Sequence, residues 1–159
     1  MISPETLRRY PFFAFMNHEQ LRETAMIAEE LTVARDETLF STGDHAGALY
    51  LLQQGSIDLH YVIIDENLPQ LRKDFLIGTL NPGDVVGISA LVPPYVMTAN
   101  ATAGVDSVLL RFDADALREL CDVDHALAFG LQKQISKVTM DRLHATRILL
   151  AAATTPANA

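Results

Sequence analysis

The segment from Asn81 to Ala103, NPGDVVGISALVPPYVMTANATA, has the composition of a binding loop without charge. A proline–glycine turn opens it, and hydroxyl side chains follow at Ser89 and Thr98. No acidic or basic residue stands between Asp84 and Asp106. Such a loop offers hydroxyl and backbone N–H donors, but it supplies no ion pair and no general acid or base.

The residues with metal-binding or nucleophilic side chains do not occur at the spacings of a metal site or of a nucleophile with its base. The histidines are scattered and never paired at ligand spacing, so we expect no metal site. They are His18, His45, His60, His125 and His144. Cys121, the one cysteine, lies in DALRELCDVDH beside apolar helix positions and is predicted to be a buried helix residue. Asp84 is interpreted as a turn or cap residue. With no nucleophile–base set near the loop, we predict that the protein is not an enzyme.

Composition limits the classes of function. The 159 residues carry 20 acidic and 12 basic side chains, a formal charge of −8, which argues against a nucleic-acid-binding module. No apolar run approaches the roughly 18 residues of a membrane span, and the start lacks a signal peptide. A cytoplasmic protein of one domain is expected, with a natural end at TTPANA.

The pattern predicts helices first and strands next. Ser3 is expected to cap one helix and Asn17 the next, whose stripe includes Ile27 and Ala28. YPFFAFM between them is expected to anchor the helices on a core. From Leu31, about eight short apolar runs separated by turn signals at roughly 8–12-residue spacing favour a sandwich or barrel. The expected organisation is N-terminal helices over 1–30, a β-barrel over 31–112, C-terminal helices over 113–153 and a flexible tail over 154–159.

One long helix is predicted from Asp124 to about Ala153, with Gly130 as its weak point. Its apolar stripe is longer than a small domain can cover, so we expect a homodimer along it. The predicted seam consists of Leu127, Leu131, Ile135, Val138, Ala145 and Leu149, with Arg142 as an interruption. The alternative is that the helix folds back entirely on its own barrel.

Two segments carry glycines at defined spacings, STGDHAGALYLLQQGSIDLHY and LNPGDVVGISAL. They make the chain resemble the cyclic-nucleotide-binding-domain family, and in particular the sensor half of catabolite-activator and nitrogen-regulator-type proteins. The first segment matches the family's glycine frame, and the second matches its turn and phosphate-binding cassette. MDRLHATRILLA is similar to the end of the family's dimer helix. The resemblance implies a mainly β fold with flanking helices (α+β), a jelly-roll β-barrel followed by a long dimer helix. The turns at the corners of a β-barrel need glycines at the same positions whether or not a ligand binds, so these glycines support the fold better than they support binding.

The cassette departs from the family pattern at its charged positions. Where the resemblance implies a ribose-binding glutamate, this chain has Ile88, and where it implies a phosphate-binding arginine, it has Met97. A buried phosphate needs a paired cation or several donors, so usual binding of cAMP or cGMP is not expected. The candidate pocket residues are Val86, Gly87, Ile88, Ser89, Ala90, Leu91, Met97 and Thr98, with Tyr95 and Val96 beside them.

Several occupants of this pocket stay open. A small neutral or apolar ligand suits the lining, and a pocket filled by its own side chains is the competing outcome. Haem would need an axial ligand, for which His60 is the one strand histidine available, and no cofactor is predicted. The chain ends without a helix-turn-helix segment, so direct DNA binding is not expected.

The preferred function is a stand-alone regulatory or sensor module that acts as a homodimer, with a small ligand or a protein partner, no nucleic acid and no membrane. The alternatives are a true cyclic-nucleotide-binding signalling protein with a non-standard cassette, and a ligand-free adaptor dimer.

Overall fold

Short helices form the amino-terminal segment in the computed structural model, which describes residues 1–156. Helix α1 spans Pro4–Arg8, a 3₁₀ turn spans Pro11–Phe13, and helix α2 spans His18–Met26. The aromatic turn lies inside the fold, since Phe12 and Phe13 are almost fully buried. The prediction that this segment anchors the helices on the core is confirmed.

The starts of both helices follow from their cap residues. The Ser3 hydroxyl accepts a hydrogen bond from the Thr6 N–H at 3.3 Å. In α2, the Asn17 side chain accepts from the Gln20 N–H at 2.8 Å, and the Gln20 side chain accepts from the Asn17 N–H at 2.9 Å. This reciprocal capping box satisfies donors that the first helical turn leaves unpaired, and both predicted caps are confirmed.

The end of α2 differs from the prediction. The helix stops at Met26, so Ile27 and Ala28 do not continue its apolar stripe. Ala28 instead begins strand β1 and pairs with Phe112 across the first sheet. Cross-strand pairing with a distant segment overrides the local helical pattern here.

Within residues 1–156, eight strands form two antiparallel sheets, so the predicted jelly-roll is present as a pair of open sheets and is not closed into a barrel. The first sheet has the order β1–β8–β3–β6 and the second β2–β7–β4–β5. The strands are β1 Ala28–Val33, β2 Thr38–Phe40, β3 Ala48–Gln54, β4 Ile57–Ile64, β5 Arg72–Leu80, β6 Val85–Val86, β7 Asn100–Ala103 and β8 Ser107–Asp113.

The core lies around strand β3, which is buried on both of its faces from Ala48 to Leu52. One face of a strand presents alternate residues, so burial of consecutive residues means that both faces of β3 are covered. Helix α3, Ala114–Val123, contacts both β3 and β8. On β4, burial at Ile57 and Leu59 gives way to exposure at Tyr61 as the strand leaves the core.

The long helix α4 spans His125–Thr154, as predicted. It begins at Asp124, whose carboxylate accepts hydrogen bonds from the Leu127 N–H and from the Gln20 side chain, both at 3.0 Å. These hydrogen bonds hold the pKa of Asp124 below its usual value. The second one also joins the start of α4 to helix α2.

The amino-terminal segment also packs against α4 at Gly130. A Cβ atom there would lie 2.0 Å from the ring of Phe15, so the missing side chain makes room for that ring. The predicted weak point of the helix is therefore a packing position. Of the predicted tail 154–159, Thr154 is the last residue of α4, and 157–159 lie outside the described residues.

Candidate functional site

The cassette segment, residues 85–91, is a short strand followed by a turn. Strand β6 pairs with β3, which places Val86 opposite Tyr50. Gly87 then adopts a left-handed conformation with φ of 82°, and a 3₁₀ turn follows over Ile88–Leu91. The turn is closed by a hydrogen bond from the Ala90 N–H to the Gly87 carbonyl at 3.0 Å.

The absence of a side chain at Gly87 allows the cassette backbone to lie close to strand β3. A Cβ atom at this position would lie 2.9 Å from the carbonyl oxygen of Ala48 and 3.3 Å from the ring of Tyr50. Both the positive φ and the backbone contact require glycine. The methyl group of Met97 lies 3.4 Å from the same point, so strand β3 and Met97 occupy the space next to Gly87.

Met97 is held at the site by main-chain hydrogen bonds. Its N–H donates to the Asp44 carbonyl and its carbonyl accepts from the Gly43 N–H, both at 2.8 Å. The residue is only 3% exposed. A thioether packs well into irregular apolar space, and here it lies where the resemblance implies an arginine.

The space left in the cassette is small. A cavity of about 50 Å³ lies between the cassette segment and residues 97–99, which lead to β7. Its lining includes six of the eight candidate pocket residues, Val86, Gly87, Ile88, Ser89, Met97 and Thr98, together with Phe40, Leu59, Ala99 and Arg142. Ala90 and Leu91 are buried outside it. Sites for small molecules usually have roughly 300–1,000 Å³.

Two neighbouring candidates face elsewhere. The ring of Tyr95 carries the guanidinium of Arg118 at 4.3 Å from its centroid, a cation–π contact. Val96 is exposed and forms an isolated bridge with His45. Neither residue lines the cassette cavity.

Three main-chain carbonyls of the cassette segment accept hydrogen bonds from the C-terminal helices. Arg118 of α3 donates to the Ala90 carbonyl at 2.6 Å, and Gln132 of α4 donates to the Leu91 carbonyl at 3.2 Å. Arg142 of α4 donates to the Val85 carbonyl. The first residue of the cassette is therefore tied to α4, and its last two residues are tied to α3 and α4.

Arg142 is the functional candidate that the sequence analysis missed. It stood out only as an interruption of an apolar stripe, and that was the available signal. The residue is half-buried, and burial lowers the pKa of its guanidinium while the Asp84 carboxylate offsets part of that effect.

Two other arginines form ion pairs at the surface: Arg111 pairs with Glu29 at 3.2 Å, and Arg72 pairs with Asp74 at 3.6 Å.

A larger groove lies on the other side of Arg142. Its volume is about 450 Å³, and its walls are α4 on one side and strands β4 and β5 with the turn before β6 on the other. Phe12, Leu59, Ile77 and Val138 give it an apolar surface. Of the residues that the structure describes, Leu59 and Arg142 alone line both the groove and the cassette cavity.

The predicted dimer seam divides into two parts. Leu127, Leu131 and Ile135 are 0%, 0% and 4% exposed and belong to the chain's own core, so in this structure they are not available to a partner. Val138 is half-buried and lines the groove with Ala145. Leu149 is exposed. The other large apolar residues exposed on α4 are Phe129, Met140, Leu143, Ile148 and Leu150.

The remaining sequence candidates are surface or structural groups. His60 contacts Asp74 at 2.9 Å across the β4–β5 pair, on the strand face opposite to buried Leu59. Asp84 accepts a hydrogen bond from the Asn81 N–H at 2.9 Å, which confirms it as a turn residue. Cys121 is half-buried, and burial with the nearby aspartates raises the pKa of its thiol.

Two findings concern the described part of the chain as a whole. Within residues 1–156 no three metal-ligating side chains of His, Cys, Asp or Glu come together as a site. Over the same residues, no helix combines the length and the apolar character that crossing a membrane requires.

The fold and the cassette place the chain in a known family. The family model of the cyclic nucleotide-binding domain matches residues 30–124, and the chain belongs to this family. Its members are regulatory and sensor domains, and this chain is a domain of that kind. No curated protein sequence matches it.

Solved structures resemble the chain over most of its length. A candidate cyclic nucleotide-binding protein from Geobacter metallireducens GS-15 is 31% identical, with a TM-score of 0.77 over 91% of this chain and 100% of that one. The N-terminal domain of a transcriptional regulator from Streptomyces coelicolor A3(2) is 27% identical, with a TM-score of 0.65 over 85% and 92%. The Thermus thermophilus catabolite activator protein, at 19% identity, a TM-score of 0.67 and coverage of 91% and 63%, shares the fold.

Proposed function

We propose that this protein is a regulatory sensor module, a single domain over 1–153, that does not bind cAMP or cGMP in the usual way. The observation that carries the proposal is the cassette cavity of about 50 Å³, in which Met97 and Ile88 take the places of the charged anchors. A nucleotide has neither the room nor the paired charges that a buried phosphate needs.

The expected loss of affinity is large. Removing one partner of a charge-assisted contact costs about 2–5 kcal/mol, which corresponds to roughly 30-fold to 4,000-fold in affinity. Two such contacts are missing from the cassette. The Ser89 hydroxyl and backbone N–H groups near Gly87 are weaker substitutes, because neither carries a charge.

The second candidate function is cyclic-nucleotide binding with a non-standard cassette. It is favoured by one observation: Arg142 lines the cassette cavity from α4 and is a cation within reach of this space. It is disfavoured by the hydrogen bond that Arg142 makes to the Val85 carbonyl and by the small volume. A further alternative is a ligand-free adaptor in which Met97 fills the cavity. The small cavity and the hydrogen bond from Arg142 to Val85 are compatible with it as well.

We further propose that the molecule acts as a cytoplasmic homodimer, without nucleic acid. Exposed apolar residues on the second half of α4 support a helix–helix contact, because Met140, Leu143 and Leu150 recur at spacings of three and seven residues, as in a heptad seam. This seam replaces the one through Leu127 and Leu131, which are used inside the chain.

Titration calorimetry with cAMP and cGMP at millimolar concentration tests the nucleotide part of the proposal. We expect no binding heat and no shift in melting temperature. Tight binding that disappears in Arg142→Gln but persists in Arg147→Gln would establish the second candidate instead. Arg147 is a suitable control because it is an exposed arginine on the same helix.

A further inference from the structure

The Arg142 guanidinium is a cation with unused donors. It has five N–H donors, and its one hydrogen bond to a described residue goes to the Val85 carbonyl. Within residues 1–156, no carboxylate oxygen lies within 4.0 Å of it. A half-buried cation is normally paired or well hydrogen-bonded, because desolvation is costly otherwise. The remaining donors therefore favour an anion in the adjoining space.

The adjoining groove has the size and surface for a small molecule. Its volume of about 450 Å³ lies within the usual range for ligand sites. Phe12, Leu59, Ile77 and Val138 contribute apolar surface, and Gln134 and Thr146 add polar groups on α4. A ligand with an apolar body on these side chains and one polar end at Arg142 would match both the apolar and the polar residues of the groove.

The charges around the groove limit the ligand to a small net charge. Lys137 and Arg142 are cationic, whereas Asp84 and Asp141 are anionic. The two carboxylates repel additional negative charge. A monoanion such as a carboxylate is compatible with this balance, and a dianionic phosphate is less so.

We propose that the groove between α4 and β5 binds a small amphipathic monoanion, with its apolar body on Phe12, Ile77 and Val138 and its anionic group on Arg142. This inference rests on the proposed sensor function and names a ligand class for it at a place separate from the cassette. Because the ligand touches both β5 and α4, it favours the arrangement in which these two walls are correctly spaced. Arg142 connects the same event to the cassette through Val85.

The probes for this site are decanoate and 1-decanol, which share one alkyl chain and differ in charge. Calorimetry below the micelle concentration should show decanoate binding at least about tenfold more tightly than decanol, the factor expected for one charge-assisted hydrogen bond. In Arg142→Gln, decanoate should fall to the level of decanol, whereas Arg147→Gln should match the wild type. Arg142→Lys keeps the charge and should bind with intermediate affinity, which guards against a folding defect.

A second pair of variants tests the location. Gly78 lines the groove, and a Cβ atom there meets no atom within 4 Å, as is also true of Gly47, which does not line it. Gly78→Leu should block decanoate, and Gly47→Leu should not. Equal affinity for the acid and the alcohol, undiminished binding in Arg142→Gln or in Gly78→Leu, or no binding at all would overturn the inference.

The two proposals fail separately. If decanoate does not bind and cAMP does not bind either, the groove inference is wrong and the proposed function stands. If cAMP binds in the cassette while decanoate still requires Arg142 and an open position at Gly78, the nucleotide part of the proposed function is wrong and the groove assignment stands.

Discussion

The guanidinium of Arg142 on helix α4 donates a hydrogen bond to the main-chain carbonyl of Val85, 57 positions earlier in the chain. This contact crosses from the C-terminal helix to the strand that begins the cassette. It places a cation at the boundary between the cassette cavity and the groove. Arg142 therefore links α4 to the beginning of the cassette, as Gln132 links the same helix to its end.

Removing this side chain should have a measurable but limited cost. Arg142→Gln is expected to lower the free energy of unfolding by about 1–2 kcal/mol, because a hydrogen bond from a charged donor is lost. Urea unfolding measures this. Arg22→Gln, a change at an exposed arginine on α2, should stay within about 0.5 kcal/mol of the wild type. Equal effects of the two variants would show that the Val85 contact does not stabilise the fold.

Restoring the family's arginine at position 97 should destabilise the protein. Met97 is 3% exposed beside a cavity of about 50 Å³ and near Arg142, so Met97→Arg would bury a second cation without a partner. We expect a loss of about 3 kcal/mol or more, seen as a lower urea midpoint. Met97→Leu should cost less than about 1.5 kcal/mol. A stable arginine variant that gained cAMP affinity would contradict our description of the pocket.

Gly87 should not accept even one methyl group. Gly87→Ala forces a side chain into a left-handed conformation and against the Ala48 carbonyl, and we expect a loss of about 2–3 kcal/mol. Gly47→Ala is the matched control, because its Cβ has open space, and it should change stability by no more than about 1 kcal/mol. Differential scanning calorimetry of both variants checks the difference. Similar melting temperatures would contradict it.

A charge on the exposed seam of α4 should prevent dimerisation. Met140→Glu places a carboxylate among Leu143 and Leu150, where desolvation in a helix–helix contact is unfavourable. Met26→Glu is the same substitution at a similarly exposed site, 70% against 63%, away from α4. Sedimentation velocity should find a dimer for the wild type and Met26→Glu and a monomer for Met140→Glu. A wild-type monomer would refute the proposed dimer.

The capping residue of α4, Asp124, should make the folded state less stable as the pH falls into the acid range. The pKa of Asp124 is lowered in the folded state, mainly by the hydrogen bond from the Leu127 N–H and then by that from Gln20. A lowered folded pKa gives stability that is complete above the unfolded value of about 3.9 and is lost as the pH falls through the folded value. Asp124→Asn keeps an acceptor but does not titrate, so its unfolding free energy should fall less below pH 4 in urea titrations. Parallel curves for the two proteins would exclude this role.

Local features of the sequence determined most of the fold. The caps at Ser3 and Asn17, the strand alternation at Ile57 and Leu59, and the length of the last helix were all predictable, since each depends on neighbouring residues and their spacing. The glycine frame further identified the family. Ile88 and Met97 were recognised as apolar replacements by position alone.

Tertiary structure decided which side of α4 is free and what reaches the cassette. A stripe of Leu127, Leu131 and Ile135 has the same period whether it faces a partner or the chain's own sheets, so the pattern could not separate the two. Ala28 became a strand residue because Phe112 lies beside it. Arg142 looked like a break in a seam until packing brought it to Val85, because contacts between distant segments follow from the fold and leave no local pattern in the sequence.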